Sequence, residues 1–414
     1  MSVIRPFRAV RPRADLVERV AALPYDVMNS DEARQMVEGN PYSFLHVDKA
    51  EIDLDRAIDL YDPQVYQKAQ ENLQAMVDDG VLQEDGQANL YIYRQLMGGR
   101  RQTGIVACAS IDEYLENKIK KHEHTRADKE QDRIRHVNIC DANTGPIFLT
   151  YRARADINQI VDEWCQKKPV YDFQSDDGIS HIVWVIDDQA TIEKLRAFFQ
   201  EIDRLYIADG HHRCASGVRV GQMRRQEYPN FTGDEEFKCF LAVIFPDQDL
   251  YIMDYNRVVK DLNGFSAEQF LTRIEENFIV TKVSSTSPYK PQKKRTFGMY
   301  LEDQWYELQA RPDSFDANDP VARLDVSILQ NNLLKPLLGI EDPRTDKRID
   351  FVGGIRGLEE LERRVKDGMK VAFSMYPTTI QDLMDIADAD QVMPPKSTWF
   401  EPKLRSGLFI HKLS

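Results

Sequence analysis

The sequence predicts an α+β fold, with mixed sheets, hairpins and flanking helices rather than a doubly wound parallel sheet. Three observations carry that expectation. Short apolar runs rich in β-branched and aromatic residues recur along the chain. Several come in pairs around Gly or Asp turns, the pattern of antiparallel hairpins. Amphipathic stretches separate them without the regular strand–helix alternation of a parallel sheet. The 414 residues suggest two or three domains at about 150 residues each. The expected division is a main α+β domain over 1–262 and a second α+β region over 263–414.

Ala22 to Asp26 is a stiff, extended stretch, because Pro24 fixes its own φ and disfavours helix before it. Asn29 or Ser30 caps a helix that Asn40-Pro41 ends. Asp62 caps the next, and Pro63 suits its first turn. Tyr66, Ala69, Leu73, Met76 and Val77 then keep helical spacing up to a C-cap at Gly80. Leu90–Tyr93 and Gly104–Ile111 read as a hairpin turning at Gly98-Gly99. Pro146–Tyr151 is a short strand, and Asp156–Trp164 a helix. His181–Ile186 is a strand whose continuous apolar run suits burial on both faces. Thr191–Arg204 is an amphipathic helix. Leu205–Ala208 is a strand, and a further helix runs to about Arg225. Phe240–Phe245 and Leu250–Met253 are strands around the turn at 246–249. Phe297–Leu301 and Trp305–Leu308 make a hairpin about Glu302-Asp303, and Val371–Met375 is a further strand. Ser284–Lys294 is a loop.

Hydrophobic residues make up 42% and charged residues 29% of the chain. That is ordinary globular composition, and it excludes disordered, collagen-like and low-complexity chains. The net charge of −14 argues against nucleic-acid or membrane-surface partners, which favour a basic face. No run approaches the ~18 apolar residues of a membrane helix. Met1–Arg19 carries five arginines and no long apolar run, so it does not read as a secretory signal. Five cysteines without a Cys-x-x-Cys pair suit a reduced, cytoplasmic protein.

The chemistry concentrates in Ile207-Ala208-Asp209-Gly210-His211-His212-Arg213. A strand ends, Gly210 permits a sharp turn, and a helix begins, so free N–H groups point into the turn and attract anions. His211 and His212 add donors, and Arg213 can grip a phosphate with two N–H groups. Asp209 would repel that phosphate unless it holds a cation, and a divalent metal such as Mg²⁺ reconciles the two. The plainer alternative is a common strand–Gly–helix turn with structural histidines.

The motif Asp209-Gly210-His211-His212-Arg213 resembles that of the free-serine kinases of the ParB and sulfiredoxin-like superfamily. The chain as a whole resembles a bacterial and archaeal family of unknown function, family 1015. The matching segments are Pro24-Tyr25-Asp26, His122-Glu123-His124-Thr125-Arg126, Asn143-Thr144-Gly145-Pro146, Tyr255-Asn256-Arg257 and Met393 to Phe400. The resemblance implies a ParB/sulfiredoxin-like core around 205–225. It also implies phosphoryl transfer on free serine or phosphoserine, in the kinase or the phosphatase direction, and a tie to serine biosynthesis. The partners are then a small amino-acid substrate and a nucleotide, ATP or ADP. The alternative is a nucleotide-gated regulatory protein of the ParB kind, without catalysis.

Lys121–Arg135 is dense in charge of both signs. It suits a solvated helix with Arg126–Glu130 and Lys129–Asp132 pairs. It equally suits a site in which Glu123 is the general base and Arg126, Lys129 and Arg133 hold phosphate. His122 and His124 share a face if the segment is a strand, a weak metal signal without a third ligand. Met393–Arg405 reads either as a lid offering Lys396, Ser397, Thr398 and Lys403, or as proline-braced packing around Trp399 and Phe400. Tyr255-Asn256-Arg257 lines a site or only ends a strand. Cys214 reads as packing. No P-loop and no Gly-x-Ser-x-Gly elbow is present. The expected catalytic groups are Glu123, Asp209 and His211, with Asp209 also on Mg²⁺. The expected phosphate and nucleotide ligands are Gly210, His212, Arg213, Arg126, Lys129, Lys396, Ser397 and Thr398.

Overall fold

The structure is a computed structural model that describes residues 2–285 and 287–414; position 286, in the expected Ser284–Lys294 loop, and Met1 lie outside the described residues. The chain is α+β, with mixed and antiparallel sheets and flanking helices. It divides into two compact units, Met1–Leu250 with Pro402–Ser414, and Tyr251–Glu401. The sequence expectation puts one division after residue 262; here the chain leaves the first unit at Leu250 and re-enters it at Pro402.

The first unit is built on a nine-stranded sheet. Its order is Ile119–Lys120, Leu205–Asp209, Ile147–Tyr151, Cys239–Pro246, Arg100–Ser110, Leu90–Met97, Ser180–Ile186 and Tyr171–Gln174, with Ile4–Arg5 also pairing Arg100–Ser110. Two pairings are parallel, Leu205–Asp209 with Ile119–Lys120 and Cys239–Pro246 with Ile147–Tyr151; the rest are antiparallel. The Leu90–Met97 hairpin turns at Gly98 and Gly99, both at positive φ, in register Met97 to Arg100. Such a two-residue turn matches the twist of its strands. Helices Ala155–Trp164 and Gln189–Gln200 lay Ile157, Trp164, Leu195 and Phe199 into one core with Ile92, Leu149 and Ile244. A second core joins Val10, Phe44, Val65, Ala69 and Ile410 around the helix Pro63–Asp78. That helix is capped by Asp62 as expected, and Asn29 forms a capping box with Glu32. Among the described residues no helix is long and apolar enough to cross a membrane.

Three expectations shift. Ser180–Ile186 is antiparallel to both neighbours, and three of its seven positions are only partly buried, so it is not covered on both faces throughout. The Thr191–Arg204 helix starts instead at Gln189, because the Asp188 side chain caps Thr191 N–H at 2.8 Å, and it stops at Gln200. Leu250–Met253 shortens to Ile252–Met253, which pairs with Trp399–Phe400 in the second unit rather than folding back on Cys239–Pro246.

The returning C-terminal segment is fastened to the first unit by backbone bonds between Val10 and Ile410 and by Arg405. Arg405 pairs with Asp177 and donates from Nε to His181 Nε2 at 3.3 Å. His181 is fully buried, and its Nδ1 lies 2.7 Å from the Tyr93 hydroxyl. Burial first, and Arg405 second, push its imidazole down to about 3. Unfolded, the ring titrates near 6.5. Between those values the unfolded chain binds the extra proton, so stability falls as pH drops below about 6.5. Relative to pH 7.5, this one ring should cost about 3 kcal/mol at pH 4.5. Urea unfolding at both pH values measures that loss, and His181→Asn should remove its share. An unchanged pH slope in the variant would contradict the assignment.

The second unit has its own six-stranded antiparallel sheet, in the order Phe278–Lys282, Gln304–Ala310, Thr296–Leu301, Val371–Ser374, Tyr255–Val259 and Ile349–Gly353. Val258, Tyr300, Trp305, Val352, Leu361 and Ala372 form a core cluster there. The hairpin about Glu302-Asp303 is present, with both residues at positive φ.

Candidate functional site

The Leu205–Asp209 strand is buried through Ala208. Its register with Ile147–Tyr151 slips between Ile207 and Asp209, a bulge that ends the pairing and re-aims the last side chain. Gly210 follows at φ +88, a conformation glycine adopts without steric cost. The Arg213 guanidinium lies across it, so that a Cβ there would stand 3.3 Å from Arg213 Nε. The helix His211–Glu227 begins at once, and no side chain caps it. Its first-turn N–H groups, which have no intrahelical acceptors, therefore face the turn.

Asp209 is half-buried, and both its oxygens are engaged. Lys403 Nζ lies 2.8 Å from Oδ2, and the Gly210 N–H donates to Oδ1 at 2.8 Å. Burial pushes this carboxyl up, but Lys403 and then Arg213 outweigh it and hold it well below the usual carboxylate range. Lys403 thus supplies the compensating cation that the sequence reading assigns to Mg²⁺. Arg213 donates from Nη1 to the Pro146 carbonyl at 2.7 Å, while its Nε has no partner. Burial opposes its charge; Asp26, Asp209, Tyr25 and Asp48 together raise it. Gly145 is part of the same corner, since a Cβ there would meet Ser406 Oγ at 3.2 Å and Arg213 Nη1 at 3.4 Å.

His211 and His122 are both buried, with ring centroids 4.5 Å apart and planes at 89°. Neither nitrogen of His122 has a hydrogen-bond partner, and nor does His211 Nε2; the Ile207 backbone lies near His122 without reaching bonding geometry. Burial pushes both imidazoles down, His122 to about 4, against the opposing charge of Asp209. Both rings are therefore neutral near pH 7. A buried polar atom without a partner costs about 1–3 kcal/mol, and three together mark a place where a ligand's polar atoms would complete the bonding. His212 is half-buried and accepts from the Arg126 backbone N–H at 3.0 Å. That bond fixes the neutral tautomer with its proton on Nδ1.

The 121–135 segment therefore reaches the turn, through His122 on His211, through Arg126 on His212, and through the Glu130 carbonyl, which accepts from Ser216 Oγ at 3.2 Å. Its expected surface pairs do not form. The helix starts only at Ala127 with Arg126 as its cap, so Arg126 pairs with Asp128 at 2.9 Å and Glu130 accepts from Thr125 instead. Asp132 faces inward, where it accepts from Tyr66 and pairs with Arg133 at 2.9 Å. Arg133 is buried against the Tyr25 ring, 4.1 Å from its centroid, which makes it a packing and counter-charge residue. Lys129 lies 5.6 Å from the centroid of the Tyr61 ring. His122, Glu123 and His211 each place one ligand atom within 4.8 Å of the others. Two neutral imidazoles and a carboxylate could hold a zinc-class ion, and suit Mg²⁺ poorly. The exposed His124 is not part of that group.

Lys396, Ser397 and Thr398 belong to the second unit. There the Lys396 carbonyl accepts from Arg257 at 2.9 Å, Ser397 Oγ donates to the Pro394 carbonyl at 2.6 Å, and Thr378 donates to the Ser397 carbonyl at 2.8 Å. Sequence reasoning passed over Tyr25 and Asp26 as site residues, and did not pair Lys403 with Asp209. The unbalanced Asp209 was the available signal, since a carboxylate beside a phosphate site needs a cation from somewhere.

Residues 4–327 match the family described as protein of unknown function DUF1015. The chain belongs to the DUF1015 family. The match ends before the Met393–Phe400 segment. No curated protein matches the sequence. Among solved structures it is similar to a free serine kinase mutant in complex with AMP, at 14% identity over 71% of this chain and 86% of that one, with a TM-score of 0.37. It is similar to a conserved hypothetical protein from Pyrococcus furiosus at 14% identity, 73% and 93% coverage and a TM-score of 0.35. SbnI with C-terminal truncation from Staphylococcus aureus gives 11% identity, 72% and 82% coverage and a TM-score of 0.36. Likenesses this distant transfer neither fold nor activity to the DUF1015 chain.

Proposed function

We propose that this DUF1015 protein transfers a phosphoryl group on free serine or phosphoserine at the Asp209–Arg213 turn, within a core of the ParB and sulfiredoxin-like kind and in a cytoplasmic setting. The observation that carries the reading is the concentration of unmet polar groups, donors prominent among them, at one corner: an uncapped helix N-terminus, the partnerless Arg213 Nε–H, and the orphaned nitrogens of the neutral His122 and His211 rings, each ring offering one N–H. Phosphate oxygens are the acceptors that satisfy such a set. Serine enters as substrate through the resemblance of the five-residue motif.

In this reading Arg213, His212 and the Gly210–His211 backbone hold the transferring phosphoryl group, and neutral His211 donates to its oxygens. In the kinase direction the serine oxygen attacks phosphorus, Glu123 takes its proton, and the nucleotide's bridging oxygen leaves. In the phosphatase direction water is the nucleophile and the serine oxygen leaves. Arg126 and Lys129 are the proposed remaining ligands of an ATP or ADP nucleotide. Mg²⁺ at Asp209 does not fit this arrangement, because the Lys403 ammonium already balances the carboxylate at 2.8 Å and the Gly210 N–H bonds its other oxygen, and no step is routed through it. The test is purified protein with phosphoserine, with and without ADP and Mg²⁺, read as free serine, and the reverse with serine and ATP. Serine release or phosphoserine formation supports the reading. Absence of turnover in both directions overturns it, and nucleotide binding without turnover would favour the regulatory alternative.

A further inference from the structure

Arg257 lies in the Tyr255–Val259 strand of the second unit, opposite Phe351 on one side and Phe373 on the other. It is only 4% exposed, and it lines a cavity of about 310 Å³ walled by Val326, Leu334, Ile349 and Phe351. Its hydrogen bonds go to two neutral acceptors, the carbonyls of Tyr255 and Lys396. Among the described residues no carboxylate pairs with it. The two acids at the cavity are engaged elsewhere, Asp342 by Arg344 at 2.8 Å and Glu341 by Lys335 at 2.9 Å. Burial pushes the guanidinium down to about 10, opposed by the Tyr255 phenol and by no carboxylate. Isolated buried charge is costly, and proteins normally pair it.

We propose that this cavity binds a small organic anion, a carboxylate or phosphate head on an apolar body, with Arg257 as its counter-ion. The two carbonyls fix the guanidinium plane, and its fork presents parallel N–H groups to two anionic oxygens. The aliphatic and phenyl walls cover the apolar body, as in most small-molecule sites. The site goes beyond the phosphoryl-transfer reading and stands without it.

The experiment is titration of the full-length protein with hexanoate, phenyl phosphate and the neutral hexanamide, read by ligand-observed NMR and by thermal shift. At least one of the two anions should bind at millimolar concentration, and the stronger of them identifies the head group. Hexanamide should bind at least about tenfold more weakly, the loss of one charge-assisted contact. Arg257→Gln should fold with an unchanged or higher midpoint, because it removes an uncompensated buried charge, and should lose the anion at least about tenfold. Leu334→Trp, which fills the cavity with Arg257 intact, should block both anions and guards against a misfolded Arg257 variant. Equal binding of hexanoate and hexanamide, anion affinity kept within about twofold in both variants, or no binding of either anion overturns the proposal.

Discussion

Arg213→Ala should lower ADP affinity at least about a hundredfold, because truncating a desolvated, hydrogen-bonded charge costs about 2–5 kcal/mol. Two separate losses add up in this variant. The phosphate loses the one guanidinium at the turn whose Nε has no protein partner. The turn loses the cation that offsets Asp26, Asp209 and Asp48, so a phosphate would arrive at a corner whose acidic groups are less fully compensated. The fold should also lose about 2 kcal/mol, the worth of a hydrogen bond from a charged donor to the Pro146 carbonyl. Arg213→Lys keeps the charge without the fork and should fall between the two proteins. Calorimetric titration with ADP, beside urea unfolding of the same samples, separates binding from stability. A folded Arg213→Ala protein that binds ADP within about twofold of the parent would remove this residue from the site and leave the turn without its principal anion contact.

The parts of the molecule legible in the sequence are those fixed by local physics. Asp62 and Pro63 start a helix whatever surrounds them, and Gly98-Gly99 makes a two-residue turn because few other pairs tolerate positive φ twice. The strand–Gly210–helix corner is legible for the same reason. What is not legible depends on partners far along the chain. The Ile252–Met253 strand finds Trp399–Phe400, and nothing local distinguishes that from a hairpin with Phe240–Phe245. Lys403 is one lysine in a basic run until the returning segment carries it to Asp209. Within 121–135, helical spacing pairs Arg126 with Glu130 only if both lie in the helix, and a start at Ala127 removes that premise. The burial of Arg133 beside Tyr25 was equally beyond reach, since a charge-rich segment reads as solvated unless its inward face is known.

Glu123→Gln should reduce turnover by about 10²–10⁴-fold, the usual worth of a positioned general base, while leaving nucleotide affinity within about threefold. Glutamine keeps the shape and the hydrogen-bonding reach of the side chain but cannot take a proton, so binding and chemistry should separate cleanly. The same carboxylate also stands with His122 and His211 in a group able to hold a metal ion, and a ligand role would produce a different outcome. Loss of an ion that bridges all three residues would disturb both imidazoles, whose nitrogens otherwise lack partners, and nucleotide affinity would fall together with turnover. Metal content of the parent and variant, measured on the protein as purified, decides between them without reference to activity. Full nucleotide affinity, absent turnover and no bound metal in either protein identify Glu123 as the base. Unimpaired turnover in the glutamine variant excludes it, and the proton would then have to pass to one of the two neutral buried imidazoles, His122 or His211.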